Sequence, residues 1–162
     1  MEHSAQDEIL ARIAPSSARR FLALATLYAL GLLQAWLGFS VEASALATVI
    51  PFAFAVIVLA IAEKMRRSTR SDIVLTTRAL WDGDGTLIAD LDTVERVERG
   101  AFAIKPSNGF MLLTRDKARR DWRPGMWWRT GRRVGVGGIL AAGAARFMAE
   151  QIAAQLALRG RG

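Results

Sequence analysis

Arginine and tryptophan are concentrated in one segment, residues 115–133, with the sequence RDKARRDWRPGMWWRTGRR. These two side-chain types bind anionic lipid headgroups, because indole rings favour the membrane interface while guanidinium groups bond phosphate. They are also enriched at protein–protein hot spots, and they bind nucleic acids through phosphate contacts and base stacking. A structural interpretation is also open: Trp127 and Trp128 alternate across a strand, one of them in the core, while the arginines solvate a sheet edge facing the membrane.

We take the arginines and tryptophans of this segment as the candidate surface for a protein partner or for lipid headgroups. The candidate residues are Arg119, Arg120, Trp122, Arg123, Trp127, Trp128, Arg129, Arg132 and Arg133.

The residues needed for most enzyme chemistry are missing from the sequence. It contains no cysteine, and its one histidine, His3, lies in a polar N-terminal segment, which excludes thiolate nucleophiles and a histidine general base. The aspartate-rich segment 82–93 lacks the glycine and the closing glutamate of a calcium loop. The glycine-rich segment 133–138 lacks the Gly-Lys-Ser/Thr of a phosphate loop. We therefore expect a non-enzymatic protein with no cofactor or metal, and we infer no small-molecule substrate.

Two uncharged apolar segments, residues 21–39 and 43–62, precede this candidate surface. Each is close to the length of about 20 residues that a helix needs to cross a bilayer core. Two buried helices of a soluble protein, or a signal peptide followed by a core helix, are the alternatives. A second uncharged segment follows the first almost at once, which is not typical of a signal peptide. The pattern predicts a two-helix transmembrane hairpin over residues 20–62.

The charges around the two segments predict their orientation. The link between them carries Glu42 and no basic residue, whereas Arg19 and Arg20 precede the first segment and Lys64 and Arg66 follow the second. Basic flanks stay in the cytoplasm, so we expect a multi-pass protein with both termini there. Residues 63–162 carry a net charge of +8 and residues 1–62 carry −1, which together give the total of +7. Tethering to a membrane makes nucleic acid the least favoured partner.

Small residues recur on the first predicted helix at spacings that let two helix backbones approach closely. The candidate helix-packing residues are Gly31, Gln34, Ala35 and Gly38, in which the glutamine could bond across the interface. They suit packing within the hairpin or against another membrane protein. Ordinary alanine-rich composition is the simpler interpretation.

Beyond a basic connector at residues 63–71, short strands and turns alternate. The predicted strands are 73–77, extended by 79–81, then 86–89, 101–104, 110–114, 126–130 and 132–136, with 91–97 forming a strand or a helical turn. The Asp-Gly pairs at 82–85 and Pro-Ser-Asn-Gly at 106–109 predict hairpin turns. Apolar residues at helical spacing predict a final amphipathic helix over 139–158. We thus expect four parts: a cytoplasmic segment 1–19, the hairpin 20–62, the connector 63–71 and a cytoplasmic domain 72–158.

The segment 73–85, IVLTTRALWDGDG, resembles the opening of bacterial pleckstrin-homology-like domains. The match falls on Leu75, Thr76, Thr77, Arg78 and Leu80, and DTVERV at 92–97 looks like the stretch that leads into the middle strands. The sequence departs from the family at Ile73 and Ala79, where an aromatic residue and a second arginine are frequent.

The resemblance implies an α+β membrane protein, with a small antiparallel sandwich or barrel capped by a C-terminal helix. Many such domains sit beside membrane helices in the bacterial inner membrane, and several belong to assembly factors. Eukaryotic relatives often bind inositol phosphates through a basic loop between the first two strands. We place Asp82 and Asp84 in that loop, where they would repel phosphate, so we do not transfer this activity.

Two functions follow as expectations. The first is an accessory subunit or assembly factor of a membrane protein complex, with another membrane protein as the partner. The alternative is a membrane-surface module that binds anionic lipid headgroups through its basic face.

Overall fold

The computed structural model describes residues 8–40, 45–98 and 106–159. They form an α+β protein with two apolar helices, two antiparallel sheets and a C-terminal helix, which confirms the predicted fold class at this level. In chain order the elements are β1 (Ile9–Ile13), α1 (Ser17–Ser40), α2 (Ala45–Ser68), β2 (Ile73–Thr76), β3 (Ala79–Asp82), β4 (Leu87–Asp90), β5 (Val94–Glu98), β6 (Phe110–Arg123), β7 (Trp127–Val136) and α3 (Ala142–Arg159).

Helices α1 and α2 lie side by side and are both long and apolar enough to cross a membrane, by length and composition. Each has 24 residues, or about 36 Å at a rise of about 1.5 Å per residue. Only 11% of the most apolar window of α1 and 22% of that of α2 is buried. Large side chains such as Leu32, Trp36, Phe54 and Ile57 are therefore exposed along the hairpin.

The second helix continues past the predicted apolar segment 43–62, so that residues 63–68 of the predicted connector are helical. Glu63 explains the continuation, because it accepts hydrogen bonds from Arg66 and Arg67, one turn further along the helix. Ion pairs at these spacings stabilise a helix.

The first sheet has the order β1-β2-β3-β4, and its first strand lies before the two helices in the chain. Strand β1 pairs antiparallel with β2, with Ile13 opposite Ile73 and Arg12 opposite Val74. No strand is predicted within residues 1–19, because five residues without a turn signal carry little local information and their partner strand lies beyond both helices. The helical hairpin is thus an insertion between two neighbouring strands.

The turn predicted at residues 82–85 is present, and it joins β3 to β4. It is therefore not the loop between the first two strands, which are joined by the helical hairpin instead. The sequence-based placement of Asp82 and Asp84 between the first two strands was wrong for two reasons. Strand β1 was not predicted, and residues 73–81, predicted as one extended strand, belong to the two antiparallel strands β2 and β3.

Strands β6 and β7 form a long ribbon that bends back on itself, and the two strands predicted at 126–130 and 132–136 are one strand. The bend falls at Gly131, whose φ of 58° favours glycine, opposite Ala118 where the pairing shifts register. As a result the tip of the ribbon returns to its base: the amide of Gly137 donates to the carbonyl of Met126 over 2.8 Å. The strand predicted at 101–104 lies outside the described residues.

The sheets and α3 enclose one core, to which α2 contributes Met65. The predicted C-terminal helix is confirmed over Ala142–Arg159, slightly later than the predicted 139–158. Its inward face carries Ala145, Met148 and Ile152, which are almost fully buried. Burial of apolar side chains of this size is the main source of the domain's stability.

Candidate partner and membrane-boundary surface

Trp127 belongs to the core and not to the candidate surface. Its side chain is 1% exposed, and its indole nitrogen donates a 2.7 Å hydrogen bond to Oδ2 of Asp82. The other oxygen of that buried carboxylate accepts from Ser71 Oγ over 2.5 Å. The structural interpretation of the Trp127–Trp128 pair, with one ring in the core, is therefore correct for Trp127, and this residue joins the ribbon to the first sheet.

Arg123 is also held by the fold. Its guanidinium forms a 2.6 Å ion pair with Asp84 and donates to Thr86 Oγ1 over 3.2 Å. Burial raises the pKa of Asp84, but hydrogen bonds from Thr86 and the interaction with Arg123 outweigh this effect and lower the pKa below its ordinary value of 3.8. The pair fastens the ribbon to the β3–β4 turn.

Arg129 and Arg132 bind backbone carbonyls. Arg129 donates to the carbonyl of Leu87 over 2.8 Å and so joins β7 to β4. Arg132 donates to the carbonyl of Thr114 over 2.8 Å and pairs with Glu95 at 3.0 Å. Both guanidinium groups are thus held in place by contacts within the domain.

Three of the candidate arginines remain available to a ligand: Arg119, Arg120 and Arg133 are exposed. Within residues 8–40, 45–98 and 106–159, their side chains form no hydrogen bond or ion pair. A charged side chain that is solvated and unpaired can bind a partner without first breaking an internal contact.

Trp122 and Trp128 form a cross-strand pair on the face of the ribbon opposite Trp127. Trp128 is half-buried and covers Gly135, where a β-carbon would lie 2.4 Å from the indole nitrogen. Trp122 is 44% exposed, and the ammonium group of Lys64 lies 4.8 Å from the centroid of its ring. These two tryptophans line a groove of about 410 Å³ together with Arg120, Asp121 and Thr130.

Lys64 is a residue of this surface that sequence reasoning missed. Its position after the second apolar segment predicts a basic connector, whereas Lys64 lies on α2 and contacts β6. That α2 continues over residues 63–68 could have been inferred from the sequence, and this would have placed Lys64 on the helix. The contact between Lys64 and Trp122, however, also depends on the bend of the β6–β7 ribbon. No local pattern predicts that bend.

Two of the candidate helix-packing residues, Gly31 and Gly38, lie at the contact between α1 and α2. Gly31 and Gly38 are buried, and β-carbons at these positions would lie 2.6 Å from Leu59 and 2.8 Å from Phe52. Gln34 and Ala35 are half-buried on the same helix. The small residues therefore allow the close approach of the two hairpin helices, which is the first of the interpretations made from the sequence.

The hairpin is attached to the domain at several points. At the start of α1, Arg19 donates to the carbonyl of Leu140 over 2.6 Å, and the Ser16 amide donates to the carbonyl of Ile139 over 3.0 Å. At the end of α2, Ser68 Oγ donates to the carbonyl of Pro124 at the ribbon tip over 3.0 Å. The two helices and the domain are thus joined by packed contacts and not by a single connector.

Comparison with family models, curated proteins and solved structures gives no match to this chain. Among the residues that the structure describes, no three His, Cys, Asp or Glu side chains come together in an arrangement that could hold a metal ion. The function must therefore be argued from the geometry of the hairpin and of the ribbon.

Proposed function

We propose that this protein is a non-enzymatic accessory subunit or assembly factor of a membrane protein complex. In this proposal α1 and α2 cross the bacterial inner membrane as a hairpin, and both termini are cytoplasmic. The β-sheets and α3 form a pleckstrin-homology-like domain that presents the exposed face of the β6–β7 ribbon to another membrane protein.

The insertion of the hairpin between β1 and β2 is the observation that carries the proposal. Because β1 and β2 are neighbours in one sheet, the start of α1 and the end of α2 belong to the same folded domain. If the helices cross a bilayer, both ends must therefore lie on one side of it. The basic residues Arg19, Lys64 and Arg67 lie at this end of the hairpin, which supports the cytoplasmic side.

The exposed apolar surface of the hairpin supports a membrane location. Soluble monomers rarely expose continuous apolar patches of more than a few hundred Å², yet both helices expose large apolar side chains along their length. The apolar part of α2, residues 45–62, is about 27 Å long at about 1.5 Å per residue. That length is close to the hydrocarbon thickness of about 30 Å.

The rigid attachment of the hairpin supports a role in holding a partner. Contacts at both ends of the hairpin fix the height and orientation of the domain relative to the helices. The unpaired Arg119 and Arg133 would then be presented at a set distance from the membrane, facing an acidic cytoplasmic surface of the partner. Charge complementarity of this kind favours a specific partner and a fast association.

The order of the elements supports the pleckstrin-homology-like part of the proposal. The resemblance implies a small antiparallel sandwich or barrel capped by a C-terminal helix. The described chain has a four-stranded and a three-stranded antiparallel sheet, followed by α3.

The proposal is tested by isolating the tagged full-length protein from native membranes in mild detergent and identifying what accompanies it by mass spectrometry. We expect one membrane complex in stoichiometric amount. The double variant Arg119→Glu/Arg133→Glu should lose this complex, whereas Arg146→Glu, at an exposed position on α3, should keep it. Recovery of the protein alone, or a complex that both variants retain equally, would argue against the proposed role.

A further inference from the structure

The exposed tryptophan of the ribbon lies at the end of the apolar part of α2. Lys64 is two residues beyond Ala62, the last residue of the uncharged segment, and its ammonium group lies 4.8 Å from the centroid of the Trp122 ring. The ring is therefore at the same height as the point where the helix stops being apolar. Tryptophan is enriched at this height in membrane proteins, because its ring is apolar and its N–H is polar.

Two cations lie near this ring: Arg120 lines the groove, and Lys64 lies over the ring of Trp122. Lys64 and Arg120 are exposed, and neither forms an ion pair within the described ranges 8–40, 45–98 and 106–159. One carboxylate, Asp121, also lines the groove, and its Oδ1 accepts a 2.7 Å hydrogen bond from the Trp122 amide. The immediate surroundings therefore carry one more positive than negative charge.

The next turn of α2 adds to this positive charge. Glu63 is bonded by both Arg66 and Arg67 at 2.7 Å, so this group of three residues carries a net charge of +1. Tyr28 of α1 also donates to Glu63 over 3.3 Å. The end of the hairpin is thus a positive band at the boundary between the exposed apolar surface and the domain.

We propose that Lys64, Arg120, Trp122 and Trp128 form a binding site for the headgroup of an anionic phospholipid of the surrounding bilayer. Lys64 and Arg120 bond the phosphate oxygens, and the exposed edge of Trp122 contacts the glycerol and upper acyl region. Trp128 forms the floor of the groove. This inference deepens the proposed function, since it rests on the insertion of the hairpin into a membrane.

The position of the groove favours a lipid over a protein or a soluble anion. Trp122 lies beside Lys64, just past the apolar part of α2. A ligand with a charged head and an apolar body would therefore contact the groove and the helix surface at once. Zwitterionic lipids fit less well, because their cationic group would lie among Lys64, Arg120 and the positive charge of α2.

The test uses the full-length protein, reconstituted in nanodiscs of phosphatidylcholine mixed with phosphatidylglycerol. After extraction in mild detergent, the two lipids that stay with the protein are quantified by mass spectrometry. We expect phosphatidylglycerol to be enriched. The variant Lys64→Gln/Arg120→Gln should reduce this enrichment by about fivefold per cation removed, which corresponds to about 1 kcal/mol per basic residue near a membrane surface.

A matched control separates a local site from a general charge effect. The variant Lys117→Gln/Arg146→Gln removes the same charge at two exposed positions outside the groove and should keep the enrichment. Equal loss in both double variants, or no enrichment in the wild type, would overturn the inference while the hairpin could still be inserted. Failure of the protein to enter the nanodiscs would instead overturn the proposed membrane anchorage.

A second measurement follows the position of the ring directly. The fluorescence of Trp122 is obtained as the difference between the wild type and Trp122→Phe, a change that keeps an aromatic ring at a partly exposed position. Lipids brominated near the headgroup end of the acyl chain should quench this difference. Absence of quenching in a variant pair with the same circular dichroism would contradict contact between Trp122 and the bilayer.

Discussion

The helical hairpin and the β domain place the same side-chain types in opposite environments. Leu32 of α1 is 64% exposed, whereas Leu112 of β6 is fully buried. The domain is stabilised by removing apolar side chains from water, and the hairpin keeps them on its surface. Under the proposed membrane anchorage, this difference would adapt one chain to two solvents, with the boundary between them near Glu63 and Lys64.

The largest expected effect comes from truncating one leucine in each region. Leu112→Ala should destabilise the domain by about 2–5 kcal/mol, because it removes a buried side chain and leaves a cavity. Leu32→Ala should change stability by much less, since the lost side chain faces the detergent or lipid around the helix. Thermal unfolding of both variants in the same detergent, followed by circular dichroism, measures the difference.

Similar losses of stability in Leu112→Ala and Leu32→Ala would contradict the contrast between the buried domain and the exposed hairpin. They would indicate that Leu32 is covered by a folded part of the protein or by another copy in the detergent-solubilised state. Size measurement of the wild-type particle by light scattering distinguishes these two cases.

Local sequence pattern was sufficient for the helices and insufficient for the sheets. The two apolar helices and α3 follow from composition and from apolar spacing, both of which act within a single element. Strand β1 was not predicted because five residues gain their stability from β2, on the far side of both helices. The bend of the β6–β7 ribbon was missed for the same reason: the contacts that fix it join Met126 to Gly137.

The difference between local pattern and contacts distant in sequence also explains which features of the candidate surface were predicted. Composition identified the segment 115–133, and strand alternation predicted that Trp127 and Trp128 lie on opposite faces, but it did not predict which of the two is buried. Trp127 and Trp128 are adjacent in sequence, yet one bonds the buried Asp82 and the other covers Gly135 on the opposite face. Lys64 belongs to this surface only because the fold brings α2 and β6 together, which no local pattern in the sequence shows.

An intermediate effect is expected at Gly31, a position where the hairpin is packed as closely as the domain. A β-carbon there would lie 2.6 Å from Leu59, so Gly31→Val should push α1 and α2 apart. Overpacking of this kind costs about 1–3 kcal/mol. Reduced disulfide formation between cysteines introduced at facing positions of the two helices would report the separation.

Pairing Gly31→Val with Leu59→Ala provides the control for that experiment. The smaller side chain at residue 59 makes room for the valine, so the double variant should recover much of the lost cross-linking. If Gly31→Val leaves the cross-linking unchanged, the two helices do not depend on close approach at this point.

The smallest effect is expected at Asp84, on a partly exposed edge that resembles neither the core nor the hairpin. Its pKa in the folded state lies below the ordinary value of 3.8, so the ionised carboxylate stabilises the folded state. This contribution is fully present above pH 3.8 and is lost as the pH falls through the folded-state value. Because the side chains of Asp84 and Arg123 are 39% and 30% exposed, solvent screening limits the contribution to about 1 kcal/mol or less.

Asp84→Asn isolates this contribution, because it removes the charge and keeps the shape of the side chain. The difference in unfolding free energy between the wild type and Asp84→Asn should be small near neutral pH and should shrink as the solution is acidified below pH 3.8. Urea unfolding of both proteins in one detergent, followed by circular dichroism at several pH values, measures it. A difference that stays near zero at every pH would mean that Arg123 stabilises the ribbon through Thr86 and not through the carboxylate. A difference that grows on acidification would contradict the lowered pKa of Asp84.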